Sequence, residues 1–386
     1  MKLNRKRIWA VISKEWREIL RDRLFFSLAF LVPPFLMLLF GYGMSLDVVN
    51  IPLAVVDYDQ TALSREYTSK YTQSRYFDFK GFVSNENELT ALFDSGDVKV
   101  AVIVAPGFAK RLQEGRPVKV QSIIEGTSPY RAQTTKAYVL AINGDFSNQQ
   151  MLQFMAKKQG IPTSKVEKML NAIRLDVRFL YNEAVSSTWS MVPSLVMLLL
   201  MITPPFLTAV SVVREKENGS IYNIYASTLL PSEYMIGKLS PYIFISMVNC
   251  FMLWLMALYV FDVPFKGSFG FFMLSALGYV TCTTGMGLLV SILVQSQLAA
   301  IAITGIVSFL PVMLFSGLLV PVKSLSLGGQ LVAHLIPAMY FNDILQGVFL
   351  KGLSARYLSF KLLFLFSHAA LLFYVCTRLF TKRPAK

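Results

Sequence analysis

Charge is scarce in this chain. Of its 386 residues, 16% are Asp, Glu, Lys or Arg while 54% are hydrophobic, and the mean hydropathy is +0.50. Soluble domains carry about 25% charge, so this is the composition of a membrane protein. Histidine is scarcer still: His334 and His368 each stand alone, in the manner of structural residues rather than metal ligands. The three cysteines, Cys250, Cys282 and Cys376, all fall inside apolar runs. The polar part of the chain therefore lacks a disulfide framework, which is compatible with a bacterial envelope protein. G-x-x-x-x-G-K-[ST], H-E-x-x-H, C-x-x-C and G-x-S-x-G are all missing, so neither a P-loop ATPase nor a familiar hydrolase is written into this chain.

What the sequence does contain is long apolar runs. Six are near the roughly 20 residues needed to span a bilayer: 24–44, 187–213, 241–261, 269–294, 298–320 and 357–380. Their interiors hold essentially no ionisable group, with Asp262 and Lys361 close to ends. An ion-coupled carrier would need such groups, so the energy for any transport must come from elsewhere. Pro204-Pro205 and Pro311 are expected to kink their helices, and Gly285-x-Gly287 to allow close helix packing. Asn249, Thr281, Thr283, Thr284 and Thr304 dot the spans. They suit either an amphipathic cargo or simple packing.

Residues 1–23 are basic and amphipathic. Ile8, Val11, Ile12, Trp16, Ile19 and Leu20 recur at helical spacing with Lys and Arg opposite, the pattern of a helix lying in the membrane interface. No small-residue cleavage site follows, so an uncleaved first span is expected rather than a signal peptide. Basic residues cluster before the first run, at Arg214, Lys216 and Lys238, and after the sixth run. With six spans all three clusters lie on one side, so both termini are expected in the cytoplasm. The net charge of +14 is mostly this asymmetry, and no nucleic-acid partner is implied. The N-G-S sequon at Asn218 falls on the cytoplasmic side and is discounted.

Residues 45–186 are then extracytoplasmic. IPLAVVDYDQT, VKVAVIVAPGF and PVKVQSIIEGT read as three strands. Helices are expected over 62–71, 86–93 and 107–113. Alternating strand and helix imply a small α/β domain. The stretch 128–183 reads as mostly helical, broken at Gly160-Ile161-Pro162. Asp57 and Asp59 could serve acid–base or metal chemistry, but strand-to-helix turns favour Asp for capping alone. The expected fold is a membrane all-α bundle of six transmembrane helices with an inserted extracytoplasmic α/β domain.

The most informative stretch is VVREKENGSIYNIYASTLLPSEYMIGKLSPY, residues 212–242. It links two spans through a compact charged element. Gly219-Ser220 can end one helix and start another, and Leu230-Pro231-Ser232-Glu233 offers a further helix start. Ile221, Tyr222, Ile224 and Tyr225 are expected to form an apolar patch facing water, rimmed by Arg214, Glu215, Lys216, Glu217 and Lys238. Such a patch fits a protein-docking site, or equally an interfacial helix against lipid.

Arg214-Glu215-Lys216-Glu217, Gly219-Ser220, Pro231-Ser232-Glu233 and Gly237-Lys238 closely resemble the loop between the second and third spans of ABC type-2 exporter permeases. FSGLLVPVKSL at 315–325 and LIPAMYFNDILQGVFLKG at 335–352 resemble the same family's fifth-span end and re-entrant hairpin. APGFAKRLQEGRPVKVQSIIEGTSP at 105–129 is similar to its bacterial subgroup with a large domain after the first span. Gln346 departs from the pattern, since many relatives carry Arg there.

The resemblance covers nearly the whole chain. It implies a permease that works as a dimer, with a second copy or a paralogous permease, and with a separate ATPase that holds the ATP and Mg. No cofactor is implied on this chain itself, which is no enzyme. Residues 214–240 would act as the coupling loop, with Arg214, Glu215, Glu217, Gly219, Ser220, Ile221, Tyr222, Ile224 and Tyr225 meeting the ATPase. Residues 1–23 would be the connecting helix, with Trp9 and Trp16 at headgroup level against membrane lipid. Residues 321–356 would form the re-entrant hairpin, with Pro337, Tyr340, Asp343 and Gln346. A periplasmic adaptor is a further partner that the size of the external domain suggests. The rival reading is a membrane-anchored receptor or scaffold that binds its ligand outside; six spans are more than an anchor needs.

Overall fold

The protein was analysed as a computed structural model, which describes residues 3–43, 48–159, 180–182 and 186–380. The chain divides into two compact units. One is formed by Met1–Ser45 with Phe179–Lys386, the other by Leu46–Arg178.

The first unit is helical. Among the described residues, six helical segments are long and apolar enough to cross a membrane: Phe25–Gly43, Ser187–Glu217, Pro231–Tyr259, Phe269–Leu293, Gln297–Phe315 and Ala355–Leu379. Before the first of them lies α1, Arg5–Arg21, started by Asn4, whose side chain accepts from the Lys6 amide. Asp22 ends α1 and caps α2, Arg23–Phe30. Helix α3, Val32–Gly43, then completes the first apolar run. The break at Leu31 falls beside Pro33 and Pro34, which lack the N–H groups that would bond Ala29 and Phe30. Asn249 fills one of these gaps: its side-chain amide donates to the Ala29 carbonyl at 2.7 Å.

In the second unit, strands β1 (Ile51–Asp57), β2 (Phe77–Phe82), β3 (Val100–Val104) and β4 (Val120–Ile124) form one sheet in the order β2-β1-β3-β4. Strand β1 runs parallel to both neighbours, and β4 runs antiparallel to β3. Both β1 and β3 are apolar runs buried on both faces, as central strands between helical layers must be. Helices α4 (Ala62–Thr72), α5 (Glu86–Ser95), α6 (Phe108–Gln113) and α7 (Pro129–Gln159) complete it. The first three follow the expected spans closely. Strand β2, FDFKGF, was not expected; its charges and Gly81 disguise an edge strand with an irregular register. The expected break at Gly160-Ile161-Pro162 lies outside the described residues.

Asp57 and Asp59 are turn and cap residues. Asp57 accepts from the amides of Asp59 and Gln60 and from the Ser64 hydroxyl. Asp59 accepts from the Thr61 hydroxyl and from the Gly107 and Ala109 amides at the start of α6. All their oxygens face donors of the fold.

The remaining helices of the first unit are α8 (Ser187–Glu217), α9 (Ile221–Ala226), α10 (Pro231–Tyr259), α11 (Phe269–Leu293), α12 (Gln297–Phe315), α13 (Leu327–Leu335), α14 (Pro337–Gln346) and α15 (Ala355–Leu379). Helix α8 is the most enclosed of the six long helices, with 78% of its apolar window buried against 17% for α15. It continues through Pro193, Pro204 and Pro205 as one element. Gly287 of α11 is why α11 can lie against it: a Cβ there would stand 2.3 Å from the Pro205 carbonyl oxygen. The expected tight approach at Gly285-x-Gly287 is thus met at Gly287, against backbone.

Candidate functional site

The helix boundaries expected within residues 214–240 are met: α8 ends at Glu217, α9 starts at Ile221 and α10 begins at Pro231. Two expectations need correction. The apolar patch is not open to water. Ile221 is 3% exposed, packed with Val212, Tyr234, Leu288 and Phe380, and Ile224 and Tyr225 lean on the same cluster. Tyr222 alone of the four is exposed, at 57%. The sequence misled because a six-residue helix can bury one side against the very spans it connects. Gly219 makes the turn between α8 and α9 with φ at +72°, a conformation natural to glycine.

The charged rim is not a surface either. Consecutive residues of an α-helix point about 100° apart, so Arg214 to Glu217 sweep most of the way round the end of α8. Each meets a different element. Arg214 pairs with Asp22 between α1 and α2 at 2.6 Å. The Lys216 ammonium donates to the carbonyls of Ser291, Ile292 and Val294 at 2.6, 3.1 and 3.0 Å, closing the C-terminal end of α11. Glu217 accepts from the Gln297 amide at 2.7 Å, and from its side chain, at the N-terminal end of α12. These last two bonds match the charge to the helix end that favours it.

Glu215 faces inward. Its Oε1 stands 3.1 Å from Lys238 Nζ and also accepts from Lys14, while its Oε2 accepts from the Tyr234 hydroxyl at 2.6 Å. Lys238 lies 2.8 Å from Glu15 Oε2 and is fully buried. Glu15 is fully buried too, and accepts from the Tyr242 and Ser211 hydroxyls at 3.1 and 3.4 Å. Two lysines thus face two glutamates, and the cluster is neutral as a set. Burial, with Glu215 nearby, raises the Glu15 carboxyl above the ordinary glutamate range, against the pull of Lys238 and Lys14. Glu15, Glu18 and Glu215 lie close enough to suggest a metal site, but Lys14 and Lys238 already supply the positive charge. A cation there would have to displace them.

The other motif residues serve the same junction. Gly237 is flush with α1: a Cβ would stand 2.6 Å from Val11 Cβ and 3.1 Å from the Ile8 carbonyl oxygen. Glu233 accepts from the Leu230 amide, starting α10, and from the Asn4 amide at 2.8 Å. Arg7 donates to the Thr228 carbonyl at 2.8 Å. Helix α1 is therefore fastened to the α9–α10 step at its start and to α8 and α10 through its middle.

Glu15, Tyr234, Tyr242 and Ser211 were not singled out by sequence, and Lys238 only as a flanking charge and as part of the Gly237-Lys238 motif. A signal for Glu15 existed: Val11, Glu15 and Ile19 are spaced by four, which puts an acid within the apolar stripe. Of the expected interfacial residues, Trp9 is exposed, whereas Trp16 is half-buried edge-on to Phe244.

The hairpin residues gather elsewhere in this unit. After the short turn Val322–Ser324 come α13 and α14. Gln346 donates to the Ser190 carbonyl at 2.7 Å and to the Ser194 hydroxyl at 2.9 Å. Ser194 donates to Asn342 at 2.6 Å, and Asn342 donates to the Ser316 carbonyl at 3.1 Å. A polar chain thus joins α14 to the start of α8 and the end of α12. Asp343 pairs with Lys361 of α15. Pro337 starts α14, and Tyr340 stacks on Phe364.

Among the described residues, six membrane-length helices with a hub of buried charge at one helix end describe a multi-pass membrane protein. The family profile described as ABC-2 family transporter protein matches residues 23–376, and the chain belongs to that family: it is a permease subunit of an ABC transporter. Over 383 residues it is 28% identical to the probable multidrug ABC transporter permease YbhS of Escherichia coli K12, covering 99% of this chain and 98% of that protein. It is 27% identical over 350 residues to the probable multidrug ABC transporter permease YbhR of the same organism, covering 90% and 91%. The inner membrane transport permease YhhJ of E. coli K12 is 23% identical over 308 residues, covering 78% and 77%. Membership of this family implies a partner ATPase subunit.

Proposed function

We propose that this chain is the membrane subunit of an ATP-driven exporter, that it works as a dimer, and that its ATPase docks beside α9. The exported substrate is amphipathic or hydrophobic, in keeping with the multidrug names of its relatives. In this reading both termini and α9 face the cytoplasm, and Leu46–Arg178 is extracytoplasmic, where it meets a periplasmic adaptor.

The observation that carries the reading is the hub at the end of α8. A docking element can transmit movement only if it is firmly bonded to what must move. The Arg214–Glu217 quartet bonds the root of α9 to α1, α10, α11 and α12 at once. Closure of the ATPase would bias one position of that block over another.

The corrected exposures choose the test. Ile221 is core, so Ile221→Asp would unfold the site and prove little. Tyr222 and Asn223 are exposed, so Tyr222→Asp/Asn223→Asp addresses docking alone. Wild type should co-purify with the ATPase encoded beside it, and the double variant should lose it while keeping the wild-type melting temperature. An ATPase held equally well by both would place docking elsewhere.

A further inference from the structure

Helix α1 sorts its charges by face. Of its acids, Glu15 is buried in the ionic cluster, and the half-buried Glu18 pairs along the helix with Lys14 at 3.5 Å. Asp22, at the helix end, holds Arg214. The outward side exposes Lys6, Arg17 and Arg21, with Arg5 at the helix start, and none of the four has a carboxylate partner among the described residues. Among these cations stand Trp9, 68% exposed, and Leu20, 62% exposed. A helix face meant for water mixes acids with bases and does not display Trp and Leu. Unpaired cations interleaved with large apolar side chains match a surface that is apolar at one depth and anionic at the next.

We propose that this face of α1 binds the phosphate-bearing headgroups of anionic phospholipids, with Trp9 and Leu20 in the acyl boundary. The inference rests on the reading that α1 lies in the membrane interface. Because the other face of α1 is bonded to Glu215 and Lys238, lipid charge would then tighten the hub itself.

The test uses the full-length protein in nanodiscs, either of phosphatidylcholine alone or with equal parts phosphatidylglycerol. Hydrogen exchange of the α1 amides is compared between the two lipids. A nitroxide at Ala10→Cys, which is exposed while the three native thiols are buried, reports depth. The proposal expects the label to be shielded from a water-soluble relaxant in both lipids, and exchange to slow at least about tenfold with phosphatidylglycerol. The Arg5→Gln/Lys6→Gln/Arg17→Gln/Arg21→Gln variant should lose that difference, and an all-lysine variant of the three arginines should keep it.

A shielded label with equal exchange in both lipids would overturn headgroup recognition alone. A label open to water in both would overturn the interfacial placement as well. Inorganic phosphate that slows exchange equally in phosphatidylcholine would also overturn the proposal, because the ligand would then be the free anion. Docking of the ATPase at Tyr222 is read separately and stands or falls on its own.

Discussion

The Lys238 ammonium stands 2.8 Å from one carboxylate, Glu15, and 3.1 Å from another, Glu215, with no exposure to solvent. Among the described residues it is the one fully buried cation between the two acids, the half-exposed Lys14 being the other positive charge within reach of both. Removing one partner of a buried ion pair leaves an uncompensated charge, at a cost of about 3–5 kcal/mol.

Lys238→Met is therefore expected to lower stability by about that amount. Adding Glu15→Gln should recover part of the loss, because one of the stranded charges then disappears. Thermal unfolding in detergent micelles measures both, and a coupling near zero between the two substitutions would contradict the pairing.

Gly287 meets backbone, so nothing there can give way. Gly287→Ala is expected to push α11 off α8 and to lower the melting temperature or the folded yield sharply. Gly285→Ala, whose new methyl would lie 3.5 Å from Leu372 Cβ, should be nearly neutral. Equal tolerance at both positions would contradict the packing of α11 on α8.

Asp59 ties the β1 turn to α6. Its slight burial would raise the carboxyl, but bonds from Thr61 and from the Ala109 and Gly107 amides outweigh that and hold it below the usual aspartate range. A depressed carboxylate contributes stability above its unfolded value of about 3.9, and loses it as pH falls through the folded value. Asp59→Ala is expected to cost about 2 kcal/mol at pH 7. The gap from wild type should shrink as pH drops below about 4. Hydrogen exchange of β3 in the full chain, corrected for intrinsic rates, reads both.

Much of this was legible in the sequence because membrane spans and buried strands are long, periodic and apolar. The six spans, the strands at Ile51, Val100 and Val120, and the helix start at Pro231 came from such patterns. Asp57 and Asp59 were read correctly as turn residues. What escaped was set by tertiary neighbours. Strand β2 is an edge strand with a lysine and a glycine, so no local signal marks it. The apolar side of α9 looked like a docking patch because nothing in 221–226 says that Val212, Leu288 and Phe380 cover it. The charges of 214–217 looked like a solvated rim because only the assembled fold places a partner beside each. The family motif is recognisable as a string; its physical meaning, four consecutive side chains that bond one helix end to its neighbours, is visible only in three dimensions.

The central claim is that α1 and α9 move as one body with the end of α8. The most direct test is the distance between nitroxides at Ala10→Cys and Ala226→Cys, both exposed, in the complex with its ATPase without nucleotide and with ATP trapped. The account predicts one narrow distribution, unchanged between the two states, that broadens when Lys238→Met is added. A wild-type distance that shifts on ATP binding would contradict it.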